Sequence, residues 1–223
     1  YLFNSTINGI EESDCILIIG SNVREEAPII NTRIRKHLLK KNIPIGLIGE
    51  KFDLTFDYEY LGNDLNILKS ISDGENNFCK ILGKAKKPMI IIGQSVLNRD
   101  DSLNAYSLIE DIIHQYSFLD TSWNGVNTLQ LSASRIGALD MGCYQSSRSL
   151  KDIYADAESG SLKLLFSFGA DEIDYSKFQN TNIIYMGSHG DRGASNADLI
   201  LPSAAYTEKD AIYINTEGRL QYA

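Results

Sequence analysis

Short apolar runs alternate with longer amphipathic stretches along this chain. The run at residues 14–19 predicts a buried strand, and the stretch 26–41 predicts a helix with Pro28 in its first turn. Residues 45–48 predict a second strand. A strand, a helix and a strand in this order indicate a βαβ unit, in which a crossover helix joins two parallel strands. We therefore expect a parallel sheet.

The same alternation continues to the end of the chain. It predicts helices at 64–72, 77–86 and 101–116, strands at 89–92, 162–168, 183–186, 197–202 and 211–214, and an aromatic-rich loop at 53–62. A boundary near residues 117–127 predicts two α/β lobes, 1–120 and 121–223, the second carrying the closing Asn-Thr-Glu-Gly-Arg motif. The expected fold class is α/β, with open, mostly parallel sheets flanked by helices.

Composition and charge exclude several classes of partner. The net charge of −8 argues against a nucleic-acid partner, because binding phosphates requires a basic face. The longest apolar runs are far shorter than the ~20 residues that span a bilayer, so we expect a soluble chain without direct membrane insertion. Because the chain opens at Tyr1 and not at methionine, we expect a segment of a longer protein or the product of a split gene.

The cysteines are too dispersed for a metal centre. Cys15, Cys79 and Cys143 include no Cys-x-x-Cys pair, whereas iron–sulfur clusters and structural zinc need clustered thiolates. We therefore expect no metal site in this chain. Cys15 lies inside an apolar strand and is predicted to be a small buried hydrophobe.

The segment Gly20-Ser21-Asn22 is the first candidate site. It follows a predicted strand and precedes a predicted helix, the place where open α/β sheets bind phosphates through helix N–H groups. It lacks the Gly-x-Gly-x-x-Gly fingerprint, so a tight structural turn is the favoured interpretation.

A glycine-rich segment, residues 187–193, is the second candidate. Its glycines, among them Gly187 and Gly190, would allow a ligand to approach the backbone closely. His189 beside Asp191 could form an acid–base pair or a metal site. No second histidine lies nearby in the sequence, and a structural turn is again the favoured interpretation.

The remaining charged residues suggest structure more than chemistry. Asp198, Glu208 and Glu217 are each explained by capping or ion pairing, with Glu217 and Arg219 forming a salt bridge. The basic stretch 33–41 is either a solvated helix face or a surface for an acidic neighbour. We find no catalytic centre in the sequence.

Several of these features together carry a family resemblance. They run in order along nearly the whole chain: Asn4, Thr6 and Ile7, Glu12 and Asp14, Gly20 and Asn22, Glu26-Ala27-Pro28, residues 33–36, Asp53-Leu54-Thr55, Tyr58, Leu61-Gly62, Lys86-Lys87-Pro88-Met89, Gly169-Ala170-Asp171, His189-Gly190-Asp191, residues 197–202 and residues 215–219. This pattern resembles the C-terminal, molybdopterin-oxidoreductase-like (Rossmann-like) region of the large iron–sulfur subunits of respiratory complex I.

The resemblance implies a domain that keeps a molybdoenzyme fold without its cofactor. Molybdoenzymes of this kind typically carry Asp-Pro-Arg after the second strand, where this chain has Gly49-Glu50-Lys51. The chain would then be a non-catalytic scaffold, with Gly20, Ser21, Asn22, Gly187, His189, Gly190 and Asp191 as remnants of cofactor loops.

The implied setting is the peripheral arm of complex I. Iron–sulfur clusters and FMN elsewhere in the complex would carry electrons from NADH to ubiquinone, some of the clusters in an N-terminal part of the same subunit. The arm lies on the matrix side of the mitochondrial inner membrane, or on the cytoplasmic side in bacteria.

Two other functions remain open. The chain could be a fragment of a molybdopterin-dependent oxidoreductase that binds a pterin guanine dinucleotide at its two glycine loops. A simple nucleotide-binding module is less favoured, because no acidic ribose-binding residue is convincingly placed after the first βαβ turn.

Overall fold

The computed structural model describes residues 1–143 and 148–223, which fall into two compact units. The first unit comprises Tyr1–Gly137 and Ile214–Leu220, and the second comprises Ala138–Tyr213 and Gln221–Ala223. This division differs from the predicted lobes 1–120 and 121–223, and the closing Asn-Thr-Glu-Gly-Arg motif falls in the first unit. The boundary lies later because a three-residue strand, Val126–Thr128, continues the first sheet and is too short to recognise in the sequence.

The first unit is built on a five-stranded parallel sheet. Its strands are β1 (Cys15–Ile19), β2 (Ile45–Ile48), β3 (Glu59–Gly62), β4 (Pro88–Ile92) and β5 (Val126–Thr128). Its helices are α1 (Thr6–Gly9), α2 (Val23–Glu26), α3 (Pro28–Lys40), α4 (Leu65–Ser72), α5 (Cys79–Leu82), α6 (Gln94–Leu97) and α7 (Ser102–Gln115), with a 3₁₀ turn at Ile10–Glu12. The strand order β3-β2-β1-β4-β5 confirms the predicted open sheet, in which all strands run parallel. The chain adds β2 and β3 on one side of β1, and then β4 and β5 on the other side.

Both faces of this sheet are covered. Cys15, Leu17 and Ile19 of β1 pack into one apolar cluster, and Ile16 and Ile18 pack into the other. A strand buried on both faces has a continuous apolar sequence, which is why β1 is recognisable from sequence. Burial raises the pKa of the Cys15 thiol to about 12, in keeping with its predicted role as a buried hydrophobe.

Three predicted elements of this unit are wrong in detail. The segment 53–62 is predicted as a loop, but its last residues form β3, a partly exposed edge strand without an apolar run. The helix predicted at 26–41 begins at Pro28, because the residue before a proline avoids helical angles; Ala27 has φ −146° and separates α2 from α3. The helix predicted at 77–86 is limited to α5.

The remaining elements include a second parallel sheet. They are α8 (Arg135–Asp140), α9 (Leu150–Glu158), β6 (Leu164–Phe168), β7 (Asn182–Gly187), α10 (Arg192–Ser195), β8 (Leu199–Pro202), β9 (Ile212–Ile214) and β10 (Leu220–Tyr222), with 3₁₀ turns at Tyr175–Phe178 and Tyr206–Glu208. Strands β6, β7 and β8 pair in that order, and β9 pairs with β10. The sequence pattern does not predict helix α9, although Ser149 and Asp152 form a capping box that marks its start.

Candidate functional site

The first candidate loop, Gly20-Ser21-Asn22, lies at the carboxyl end of β1, where the strand order reverses. Ligands of open α/β sheets bind in the crevice at such a reversal. Here the backbones that follow β1 and β4 approach each other closely. A Cβ atom on Gly93, which follows β4, would lie 2.0 Å from the Gly20 carbonyl oxygen. The Ser95 hydroxyl donates a hydrogen bond of 2.5 Å to the same oxygen.

Glu26 occupies the hydrogen-bond donors of this loop. Its carboxylate accepts from the Ser21 hydroxyl at 2.8 Å and from the Asn22 backbone N–H at 3.0 Å. The Asn22 side-chain oxygen is buried without a partner among the described residues, but an oxygen accepts and cannot bind a phosphate by donation. A phosphate at this loop would therefore meet a carboxylate in place of free N–H groups.

An open cleft of about 490 Å³ lies at the ends of β1 and β2, beside the same loop. Glu50, Asp64 and Arg99 are the charged residues in its wall. Asp64 caps α4 by accepting from the N–H groups of Asn66 and Ile67, at 2.7 and 3.3 Å. Two of the N–H groups at this helix end are thus already paired with a carboxylate.

Arg99, the cation in the wall of this cleft, is already paired with another side chain. Both carboxylate oxygens of Asp101 accept from the Arg99 guanidinium, at 2.6 and 2.7 Å. This contact raises the pKa of Arg99 and lowers the pKa of Asp101. Next to Glu50, the Lys51 amine lies 6.0 Å from the centre of the Tyr60 ring. The cleft therefore offers a phosphate no uncommitted cation among its described wall residues.

The second candidate loop follows β7 and borders a cleft of about 350 Å³. Gly187, Ser188 and Asp191 contribute to its wall. Asp191 accepts from the Tyr185 hydroxyl at 2.7 Å, and Asp171 accepts from the Gly193 N–H at 2.6 Å. The backbone and side chains of this loop are thus held by two carboxylates from within the same unit.

Asp171 and Asp191 interact as a carboxyl pair. Their mutual hydrogen bond raises the pKa of Asp171 and lowers the pKa of Asp191. The hydrogen bond to Asp191, with burial as the next cause, raises the pKa of Tyr185 to about 12. The loop consequently keeps negative charge at Asp191, which is unfavourable for a phosphate.

The described contacts of His189 include no hydrogen bond with Asp191, the pairing that was the less favoured interpretation. Its Nδ1 lies 2.9 Å from the Ser188 hydroxyl, while Asp191 is held by Tyr185. His189 and Gly190 are absent from the described lining of the cleft, and no described atom would lie within 4 Å of a Cβ on Gly190. The structural turn stays the favoured interpretation of these residues.

The three other carboxylates singled out in the sequence are structural. Asp198 accepts from the Ile183 N–H at 2.7 Å, and Glu208 accepts from the Ala205 N–H at 3.0 Å. Glu217 accepts from the Ile7 N–H at 2.7 Å and pairs with Arg219 at 2.9 Å, which confirms the predicted salt bridge.

The basic stretch of α3 forms salt bridges with Glu11, a residue that the sequence analysis did not single out. Arg33, Lys36 and Lys40 all contact the Glu11 carboxylate, at 2.9, 2.8 and 2.9 Å. Hydrogen bonds from Lys36, Lys40 and Arg33 hold the pKa of Glu11 far below its usual value. These three cations therefore anchor α3 to the 3₁₀ turn before β1, while Lys36 and Lys40 remain exposed, as a solvated helix face predicts.

Neither a metal centre nor a membrane span is found in residues 1–143 and 148–223. No three His, Cys, Asp or Glu side chains in these ranges are grouped to hold a metal ion. None of the helices there combines the length and the apolar character needed to cross a bilayer.

Comparison with known proteins identifies the class. The molybdopterin oxidoreductase family model matches residues 1–223, so this chain belongs to that family. The 75 kDa subunit of NADH-ubiquinone oxidoreductase from Reclinomonas americana is 44% identical over 99% of this chain and 32% of its own length. A subunit of the NADH-quinone oxidoreductase of Rickettsia felis is 41% identical over 100% of this chain and 32% of its own length.

A third relative extends the comparison to fungi. The mitochondrial 78 kDa subunit of NADH-ubiquinone oxidoreductase from Candida albicans is 44% identical over 99% of this chain and 29% of its own length. The resemblance to large subunits of this oxidoreductase is thereby confirmed. The chain spans about a third of the length of the curated relatives it matches.

The residues of the first cleft do not fit the cofactor after which the family is named, whereas the wall of the second cleft includes one cation, Lys209. A pterin guanine dinucleotide carries phosphates, and phosphates bind free N–H groups and cations. The corresponding donors here are paired with Glu26, Asp64 and Asp171. We therefore derive no chemistry that passes through such a cofactor.

Proposed function

We propose that this chain is a non-catalytic scaffold domain of the large iron–sulfur subunit of respiratory complex I. In this proposal, FMN and iron–sulfur clusters elsewhere in the complex carry electrons from NADH to ubiquinone. Proton translocation belongs to the complex as a whole. The chain itself holds no cofactor and supports the cluster-bearing part of its own subunit.

The contact of Glu26 with the first candidate loop carries this proposal. An intramolecular carboxylate hydrogen-bonded to Ser21 and Asn22 occupies the position in which a nucleotide-binding member of an α/β fold would place a phosphate. Adding a phosphate there would bring two anions into contact unless Glu26 moved away. Movement of Glu26 is opposed by the loss of two hydrogen bonds, one of them to the buried Ser21.

Partners and location follow from the relatives as further parts of the proposal. We propose that the chain contacts other subunits of the peripheral arm and the cluster-bearing part of its own subunit. The arm would lie on the matrix side of the mitochondrial inner membrane, or on the cytoplasmic side in a bacterium. The names of the fungal and Rickettsia relatives support these two settings.

The alternative is a fragment of a molybdopterin-dependent oxidoreductase. Membership of the family and the two glycine-containing loops at the ends of β1 and β7 favour it. The carboxylates of Glu26 and Asp171, which already accept hydrogen bonds from those loops, argue against it.

Calorimetric titration of the full-length subunit with GDP distinguishes the two functions. GDP carries the guanine and phosphates of the dinucleotide half of the cofactor. We expect no saturable binding up to about 1 mM, the concentration at which even weak sites of about −4 kcal/mol are half filled. A molybdopterin-binding member of the family serves as the positive control.

The opposite result would support the alternative. Saturable binding of GDP would contradict the scaffold proposal, and its loss in a Gly190→Trp variant would place the nucleotide at the second loop. Gly190 suits this variant because a Cβ added there would meet no described atom within 4 Å.

A further inference from the structure

The sheet of the second unit is covered on one face only. On that face, Leu165 of β6 and Ile183 of β7 pack with Ala157 of α9 and with Tyr175 and Phe178 of the following 3₁₀ turn. Strand side chains alternate between faces, so the neighbouring residues along each strand point the other way.

The opposite face carries two apolar rows. The strand register aligns Phe166, Ile184 and Leu199 in one row and Phe168, Met186 and Leu201 in the next. Phe166 and Phe168 are 54% and 70% exposed, and their rings stack with centroids 6.4 Å apart. We call these six residues the open face.

The open face is unusual for a parallel sheet. Parallel sheets occur almost only with both faces covered, and the sheet of the first unit follows that rule. With aromatic and aliphatic side chains of about 200 Å² each, the partly exposed residues of the open face present on the order of 500 Å² of apolar surface. This is the size of the largest apolar patch on a typical monomer, and such patches are often functional.

We propose that the open face packs against an amphipathic helix from the part of the same subunit that lies outside residues 1–223. This inference rests on the proposed function, because it takes the chain to be part of a subunit like its relatives. Those relatives extend to about three times the length that this chain matches, which leaves ample polypeptide for such a helix.

Two features of the open face favour this occupant over others. All six side chains are apolar, so the surface matches the apolar stripe of a helix and not an acidic or basic partner. A dimer formed through the open face alone would bury about 500 Å² on each copy, below the roughly 800 Å² per partner of stable interfaces. A helix of the same polypeptide needs no such area, because its tether already holds it nearby.

Photo-cross-linking of the full-length subunit tests the proposal. Phe168 is replaced by p-benzoylphenylalanine, a photoreactive residue of similar shape. Leu103 of α7, which is 85% exposed, receives the same replacement as a matched control. We expect an intramolecular cross-link from position 168 to a peptide outside residues 1–223, with a yield several-fold above that of any such cross-link from position 103.

Every other result would overturn the proposal. A cross-link from position 168 to a second copy, to another subunit of the native complex or to a peptide within residues 1–223 would identify a different cover. No cross-link above the control would mean that the open face is left to solvent. Metal analysis of the same preparation separates this test from the proposed function, because bound molybdenum would overturn the scaffold role whatever the cross-link map shows.

Discussion

A Gly93→Ala substitution is expected to lower the free energy of unfolding of the chain by about 3 kcal/mol. The new Cβ would lie 2.0 Å from the carbonyl oxygen of Gly20 and 2.6 Å from the Gly20 carbonyl carbon. These are backbone atoms at the end of the central strand, so relief requires β1 and β4 to separate. Urea unfolding monitored by the fluorescence of Trp123, the single tryptophan of the chain, measures the change.

Gly190→Ala is the matched control for this substitution. The Cβ added there would meet no described atom within 4 Å, and Gly190 is not among the glycines with positive φ. We expect a change within about 0.5 kcal/mol. If the two alanine variants were equally stable, the close approach of Gly93 to the Gly20 backbone would not constrain the packing of β1 against β4.

Glu217→Ala is expected to destabilise the chain by about 2 to 3 kcal/mol. The side chain of Glu217 is only 7% exposed, and it joins the closing motif to the start of the chain through the Ile7 N–H. Alanine leaves that N–H without its acceptor and Arg219 without its partner. Thermal unfolding monitored by circular dichroism would detect the loss.

Glu208→Ala provides the comparison for Glu217. Glu208 is exposed and caps a single turn by accepting from Ala205, so its loss is expected to cost about 1 kcal/mol or less. Equal effects of the two substitutions would show that the closing motif is not a structural tie. Glu217→Gln, which keeps an acceptor for Ile7, should lie between Glu217→Ala and the unsubstituted chain.

Among the strands that sequence reasoning located, those of the first sheet share one property. β1, β2 and β4 are buried on both faces and therefore have continuous apolar sequences. β3 and β5 are edge strands of four and three residues. β3 was missed because a partly exposed edge needs no apolar run, and β5 was missed because its three residues, Val-Asn-Thr, form no apolar run although they are largely buried. Local sequence does not show that such a segment completes a sheet.

The candidate loops were located, but the groups that occupy them were not. Gly20 and Gly187 could be placed at the ends of strands because glycine after an apolar run marks a turn. Glu26 lay within a predicted helix, and Asp171 is 22 residues from the Gly193 N–H that it holds. No sequence spacing identifies such contacts, since they depend on how the loops fold back. The cluster of Arg33, Lys36 and Lys40 around Glu11 was missed for the same reason.

The metal and flavin content of the native assembly that contains this chain tests the scaffold function most directly. Native mass spectrometry would identify the subunits, and elemental analysis of the same sample would measure iron and molybdenum. The proposed function predicts flavin and iron without molybdenum, beside other subunits of the respiratory complex. Stoichiometric molybdenum in a small assembly would contradict it and would show that the fold has kept its cofactor.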